Sequence, residues 1–338
     1  MVSRVYAEDP YRNFLPSIGR LVKYRPPAEK TADSVTIRND TGVAEGAEIS
    51  IYYDPLIAKL ITHGPTREAA IEAQANTLDT FAIRGIRHNI PFLAALMQHP
   101  RWRAGKLSTG FIAEEYPKGF FARASEGEVA HVIVSVASAI DHVLGERKRR
   151  ISGQLAGRAV VRERRRVVRI GEAEYVLDVA RREEAITAAF IGSGRKKGHS
   201  HVLESDWKPG DVVWAGKFDG NAISVQVRPV ANGFWLAHRG AEAEVFVYTE
   251  REAAAARLMP IKKVADTGKA LRAPMPGLVM SIPVTIGQEV KAGEPLAVVE
   301  AMKMENVLRA ERDGLVKSIR VKPGDNVAVD AVIMEFAQ

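Results

Sequence analysis

The sequence contains no cysteine, which excludes a disulfide framework, a thiolate metal site and a cysteine nucleophile, and suits a reducing compartment. Aromatic residues make up only 7% of its 338 residues, so its cores must rest on Val, Ile, Leu and Ala. No continuous apolar stretch approaches the roughly 20 residues needed to cross a bilayer. Residues 1–25 lack the charged-then-apolar order of a secretory signal, and Val2 to Arg12 reads as the middle of a strand and its following loop. A cytoplasmic protein without a membrane partner is therefore expected.

Positive charge is scarce where the chain ends. Ala270 to Gln338 holds 8 Lys/Arg and 9 Asp/Glu, so the surplus behind the formal +7 lies upstream, in Arg147 to Arg150, Arg162 to Arg169 and Arg195 to Lys197. No aromatic stacking residues interleave with the alternating run Val160 to Ile170, so these cations are expected to form ordinary surface or a subunit contact rather than bind nucleic acid. A non-enzymatic scaffold or nucleic-acid module is the alternative that such charge leaves open. Nor do His63, His88, His99, His131, His142, His199, His201 and His238 show metal-ligand spacing joined to an acidic ligand, so no metal is assigned.

What is present divides into four stretches, 1–117, 118–262, a polar linker at 263–269 and 270–338. In the first, Ser34 to Arg38 and Glu48 to Tyr52 are strand-like. Ile71, Ala75, Leu78 and Ala82 recur at helical spacing, and Asn89 can cap a second helix with the apolar face Phe92, Leu93, Leu96 and Met97. These helices need a sheet, and the segment offers too little of one, which suggests part of a larger domain. In the second stretch, Val129, Val132, Ile133, Val136, Ile140, Val143 and Leu144 predict one long helix ending in cations that suit its negative terminus. Strand-like runs follow at Leu155 to Val161, Arg166 to Ile170, Tyr175 to Val179, Val212 to Ala215, Ala222 to Val230, Phe234 to Ala237 and Glu244 to Tyr248. One apolar helix followed by many antiparallel strands predicts a barrel-like sheet curled around that helix.

The last stretch repeats itself at an offset of 37 residues. Gly277 to Ile282 matches Gly314 to Ile319, Ile286 to Val290 matches Pro323 to Val327, and Leu296 matches Ile333. Each half is a β unit unable to bury its face alone, so two should close as a flattened sandwich. Gly277 and Gly314 suit tight turns or close strand approach, and Gly287 and Gly324 suit turns. Glu300 to Glu305 falls at the tip joining the halves. Two methionines flanking Lys303 at an exposed tip gain nothing from folding and suggest recognition by a partner.

Ala301, Met302, Lys303 and Met304 resemble the biotinylation motif of biotin carboxyl carrier domains, with Pro274, Met275, Pro276 and Gly277 resembling the lead-in and 35 residues following Lys303. Related lipoyl domains generally carry Asp-Lys-Ala at this tip, so the methionines favour biotin over lipoate. Arg4 with Ala7 to Pro10 and Asn13 to Ser17 resembles the end of a biotin carboxylase domain. Tyr53 to Lys59 and Gly85 with Asn89 match further blocks. The order of segments is similar to the α subunits of the biotin-dependent acyl-CoA carboxylase family, the propionyl-CoA carboxylases in particular. Methylcrotonyl-CoA or broad-specificity carboxylases are the alternatives.

The resemblance implies a multidomain α+β and β architecture: a partial biotin carboxylase C-terminal domain, a helix surrounded by a β-barrel-like subunit-contact domain, and a flattened β-sandwich biotinyl domain. It implies biotin covalently attached to Lys303 between Met302 and Met304, and Arg4 as a catalytic guanidinium beside biotin. Glu8 and Asp9 would organise the loop and Asp54 would buttress the site. ATP, Mg2+ and bicarbonate would be used by the full subunit through residues this chain lacks, so this chain alone should be inactive. Implied partners are a biotin protein ligase and a carboxyltransferase β subunit that binds the acyl-CoA, in an α6β6 hetero-oligomer. The location would be bacterial cytoplasm, or the mitochondrial matrix for eukaryotic relatives.

Overall fold

The computed structural model describes residues 1–12, 14–50, 54–149, 163–192, 198–259, 269–301 and 304–337, in two compact units, Met1–Leu258 and Met259–Gln338. The expected strand Leu155 to Val161, the basic run Arg195 to Lys197 and most of the linker at 263–269 lie outside the described residues.

The first unit opens with an antiparallel sheet in the order Val2–Tyr6, Leu56–His63, Val35–Thr41, Lys30–Ala32. The segment thus does supply a sheet for its helices, correcting the expectation that it could not. Strand Val2–Tyr6 falls where the sequence reads as one; the missed elements are Lys30–Ala32 and Leu56–His63, the latter too uniformly apolar to show alternation. Helix Arg67–Thr80 starts where the Thr66 hydroxyl accepts from Ala69 N at 3.2 Å, and it buries Ile71, Ala75 and Leu78. Its buried Gln74 is satisfied by Thr62 Oγ1, which donates to Oε1 at 2.7 Å, and by the Leu60 carbonyl. Ala82, expected on this helix, lies instead in the short strand Ala82–Arg84, because the helix stops at Thr80. Helix Ile90–Gln98 buries Phe92, Leu93, Leu96 and Met97 as its pattern predicts.

The same unit contains an eight-stranded closed antiparallel barrel in sequence order, from Arg165–Ile170 to Ala241–Tyr248, with the first and last strands paired through Val168 and Val247. Helix Gly127–Arg149 runs within it, burying Val132, Ile133, Val136, Ala137 and Ile140 against Leu177, Val225, Leu236 and Val245. By length and composition this helix is apolar enough to cross a membrane, with mean hydropathy 1.3 over an 18-residue window. That amends the expectation drawn from continuous runs, since scattered Ser and His do not offset its Val, Ile and Ala. Here 61% of the window is buried within the fold.

The basic run entering the barrel is paired within it rather than merely solvated. Arg166 is buried, with Nε 3.0 Å from Asp141 Oδ2 on the axial helix, and Arg164 and Arg165 meet Asp178 and Glu250.

The second unit realises the repeat. One sheet orders Ala270–Arg272, Val332–Ala337, Gly314–Ile319 and Glu289–Val290; the other orders Met304–Arg309, Pro295–Ala301, Gly277–Ser281 and Asn326–Val327. Hydrogen bonds recur between the halves: Val279 N to Asp325 O and Val316 N to Gln288 O are both 2.9 Å. Each half therefore lends its short strand to the other's sheet, which is why neither can fold alone. At Gly277 a Cβ would stand 2.5 Å from the Glu300 carbonyl oxygen, so close strand approach requires glycine there, whereas at Gly314 the nearest atom is an ordinary 3.5 Å away. Gly287 and Gly324 sit in left-handed turns, as expected.

Candidate functional site

In the second unit, strands Pro295–Ala301 and Met304–Arg309 form the hairpin at the junction of the repeats, paired to its end through Glu300 with Glu305 and Ala301 with Met304. Val299, Leu296 and Ala297 bury the hairpin's inner face in the sandwich core. Met302 and Lys303 lie outside the described residues, as does the side chain of Met304. The described pairing leaves two residues, Met302 and Lys303, between the paired strands.

In the first unit Arg4 projects from the exposed face of strand Val2–Tyr6, where alternate residues Ser3 and Val5 are buried. Its guanidinium stacks over Tyr6, 5.1 Å from the ring centroid, and Nη2 reaches Asp54 Oδ2 at 3.5 Å. Half the Arg4 side chain is exposed, so this ion pair holds orientation more than it contributes stability. Burial, followed by the Asp54 charge, raises the Glu8 carboxyl above its usual pKa, so the surroundings of Arg4 are acidic. Asp9 organises the following loop by accepting from Tyr11 N at 3.0 Å, while its backbone carbonyl accepts from Phe14 N at 2.9 Å. Asn13 and Tyr53, from the motif blocks, lie outside the described residues.

Asn89 stands at the start of helix Ile90–Gln98 but makes no side-chain cap. Its Oδ1 instead accepts from Tyr6 N at 2.9 Å and its Nδ2 donates to Arg4 O at 3.1 Å, pinning the strand that carries Arg4. The capping expectation is corrected: both amide atoms are spent on a strand 83 to 85 residues distant.

Just before it, His88 has an Nδ1 shut from solvent and without a hydrogen-bond partner. Burial, reinforced by Arg84, pushes His88 down to about 4. Because the unfolded chain takes up this proton near pH 6.5, the contribution of neutral His88 is present above that pH and lost as pH falls toward 4. Urea unfolding is expected to show an acid destabilisation of up to about 3 kcal/mol between pH 7 and 4 that His88→Gln removes. Parallel acid sensitivity in both proteins would refute it.

A group that sequence spacing hid lies in the barrel. His131 on the axial helix and His199 and His201 on strand His199–Glu204 bring one ligand atom each to within 4.8 Å of one another. Spacing along the chain shows no metal-ligand pattern joined to an acidic ligand, because 68 and 70 residues separate His131 from the other two. Burial first, and then His199 and His201, lowers the His131 pKa. The single local signal was the alternation His199-Ser200-His201, which puts two rings on one strand face.

Three family models match successive parts of the chain: the biotin carboxylase C-terminal domain over residues 2–114, the propionyl-coenzyme A carboxylase BT domain over 133–262, and the biotin-requiring enzyme family over 269–336. The chain is similar to the propionyl-CoA carboxylase alpha chain of Ruegeria pomeroyi, 44% identical over 349 residues, covering 99% of this chain and 50% of that one. The mitochondrial propionyl-CoA carboxylase alpha chain of Mus musculus is 33% identical, with 98% and 45% covered. The mitochondrial methylcrotonoyl-CoA carboxylase subunit alpha of Dictyostelium discoideum is 28% identical, with 94% and 45% covered. The chain thus spans about half the length of the curated relatives it matches.

Proposed function

We propose that this chain is the C-terminal, carrier-bearing half of the α subunit of a biotin-dependent acyl-CoA carboxylase. It carries carboxylate on biotinyl-Lys303 from a biotin carboxylase site to a carboxyltransferase β subunit. The observation that carries the reading is the order of three folds, each matched by its own family, ending in a hairpin whose paired strands Pro295–Ala301 and Met304–Arg309 flank Met302 and Lys303 in the sequence. We assign propionyl-CoA as the acceptor, giving methylmalonyl-CoA. The higher identity to propionyl-CoA than to methylcrotonoyl-CoA carboxylase α chains supports this.

In this reading the 118–262 stretch provides the contact with the β subunit, which binds the acyl-CoA, in an α6β6 assembly. A biotin protein ligase modifies Lys303, and Mg2+, ATP and bicarbonate are handled by the full subunit. The proposed location is the bacterial cytoplasm, with the matrix as its mitochondrial counterpart. Biotin supplies a ureido nitrogen that takes up and releases the carboxyl group; the protein supplies presentation and electrostatics. The sandwich and its paired hairpin present Lys303, and the 263–269 linker sets the local concentration of the arm at each site. Arg4 holds positive charge where negative charge develops, while Asp54, Tyr6 and Asn89 fix its direction.

The test is an acyl-CoA panel with the full-length subunit and its carboxyltransferase. Propionyl-CoA should be carboxylated with the highest kcat/KM, and a preference for methylcrotonyl-CoA would overturn the substrate assignment. Arg4→Met in the same assembly should lower kcat by about 100-fold or more with biotinylation unchanged. A rate within twofold of the parent would remove Arg4 from the catalytic machinery.

A further inference from the structure

We propose that His131, His199 and His201 form a binding site for a divalent transition-metal ion of the zinc type, clipping the axial helix to the barrel wall. This site is independent of the carrier role and of Lys303.

The elements converge for reasons visible in the fold. His131 stands in the second turn of helix Gly127–Arg149, near the end by which the helix enters the barrel. His199 and His201 alternate with Ser200, so both rings leave the same face of their strand as the buried Leu203, toward the helix. The ring centroids of His131 lie 4.4 Å from His199 and 5.6 Å from His201, and those two are 5.1 Å apart. Phe190 stacks on His199 at 4.6 Å and Phe218 on His201 at 4.5 Å, so aromatic rings wall the imidazoles.

The protonation pattern is set by a carboxylate. His201 Nδ1 lies 2.6 Å from Asp219 Oδ2, and Asp219 Oδ1 accepts from Val202 N at 2.8 Å. With both Asp219 oxygens acting as acceptors in this arrangement, the His201–Asp219 contact is satisfied when His201 Nδ1 is the donor. That leaves His201 Nε2 bare, and it has no solvent exposure and no hydrogen-bond partner. A buried imidazole acceptor without a donor is costly, and its neighbours are two more imidazoles rather than hydroxyls or amides. A carboxylate holding one ring nitrogen while the other points at a cluster of imidazoles is how proteins orient histidine for a metal.

Ligand chemistry agrees. Neutral imidazole suits zinc and its neighbours in the series, and three histidines with one open position make a complete protein ligand set. Tetrahedral bonds of about 2.1 Å place ligand nitrogens roughly 3.4 Å apart. The observed separations, within 4.8 Å, close to that by small side-chain rotations. Glu128, one turn before His131, contributes negative charge beside the cluster. It shares the helix face that an i, i+3 spacing defines, and it or water can complete the sphere.

The experiment uses the full chain, freed of any affinity tag and stripped with chelator, titrated with zinc chloride in competition with a chromophoric chelator. One equivalent should bind, with X-ray absorption giving three nitrogen ligands at about 2.0–2.1 Å. His199→Gln, at an exposed ring, should lower affinity at least ~100-fold without unfolding the barrel, and Asp219→Asn about 10- to 100-fold. His63→Gln, remote from the cluster in sequence and strand, should change nothing. Zinc should raise the melting temperature of the parent and not of His199→Gln. The inference is overturned if the parent binds no more tightly than His199→Gln, if His63→Gln loses affinity equally, or if fewer than three nitrogens surround the metal.

Discussion

Replacing Lys303 with arginine is expected to remove biotin from the chain completely, and carboxyl transfer by the assembled enzyme with it. The ε-amine is the only atom at that position able to form the amide. Arginine keeps the positive charge and length but holds a guanidinium that stays protonated and is not acylated. The substitution should leave the domain intact, because the hairpin is held by the ladder from Pro295–Arg309 to Ala301–Met304 and by a separate core of Val279, Leu296, Val299, Val316 and Ile333. Stability should therefore shift by no more than about 0.5 kcal/mol. Intact-mass measurement after coexpression with a biotin ligase checks it: the parent gains one biotin and Lys303→Arg none. An added lipoyl mass instead would replace the biotin reading with a lipoate carrier. A parent that stays unmodified beside an active ligase would end both.

Gly240→Val should break the docking of the barrel onto the amino-terminal sheet and helices. Gly240 lies in the turn between strands Gly233–His238 and Ala241–Tyr248 with φ at +77°, and a Cβ there would stand 2.4 Å from Ala95 N and 2.6 Å from its Cα. Those are backbone atoms of helix Ile90–Gln98 and cannot swing aside. The same turn delivers Arg239, whose N donates to Asp79 Oδ1 at 2.9 Å and whose guanidinium reaches Glu72 at 2.6 Å and Asn76 at 2.8 Å. Burial opposes the Glu72 charge, yet Arg239 and Arg103 hold its carboxyl below the usual range. Gln226 spans the same boundary, donating to Phe81 O at 3.1 Å.

Displacing the turn takes from the buried Asp79 both the Arg239 N–H and His238, whose Nδ1 lies 3.0 Å from Asp79 Oδ2, so the expected cost is about 3 kcal/mol or more. Gly240→Ala should cost less, and Arg239→Ala should remove only the ionic part. Urea unfolding measures each, and limited proteolysis reports exposure of residues 118–126. An unchanged unfolding midpoint for Gly240→Val would show that the two parts are not energetically coupled here.

Much of this architecture was legible before any coordinates. The 37-residue repeat placed Gly277–Ser281 opposite Gly314–Ile319 in equivalent sheets, because a β repeat must satisfy its edge with its own copy. The 3.6 periodicity of Val129 to Leu144 exposed the axial helix, since one face of a buried helix writes itself locally. Other elements were silent. Strand Ala185–Phe190 is rich in alanine and strand His199–Glu204 in polar residues, and neither carries the β-branched alternation by which a strand is recognised. Their identity as strands is set by pairing with neighbours in a closed barrel, a non-local interaction.

The sequence by itself determined the local pieces: Lys303 between two methionines, Arg4 in its block, two β halves and an apolar helix. Local patterns and motifs suffice for that, because side-chain identity and short-range periodicity are properties of contiguous residues. Only the tertiary structure decided which distant residues meet. It turned Asn89 from a helix cap into a clamp on the Arg4 strand, drew Arg166 inward to Asp141, and gathered His131, His199 and His201, the last beside Asp219. Those outcomes depend on barrel closure and domain docking, whose partners lie tens of residues apart and leave no periodic trace along the chain.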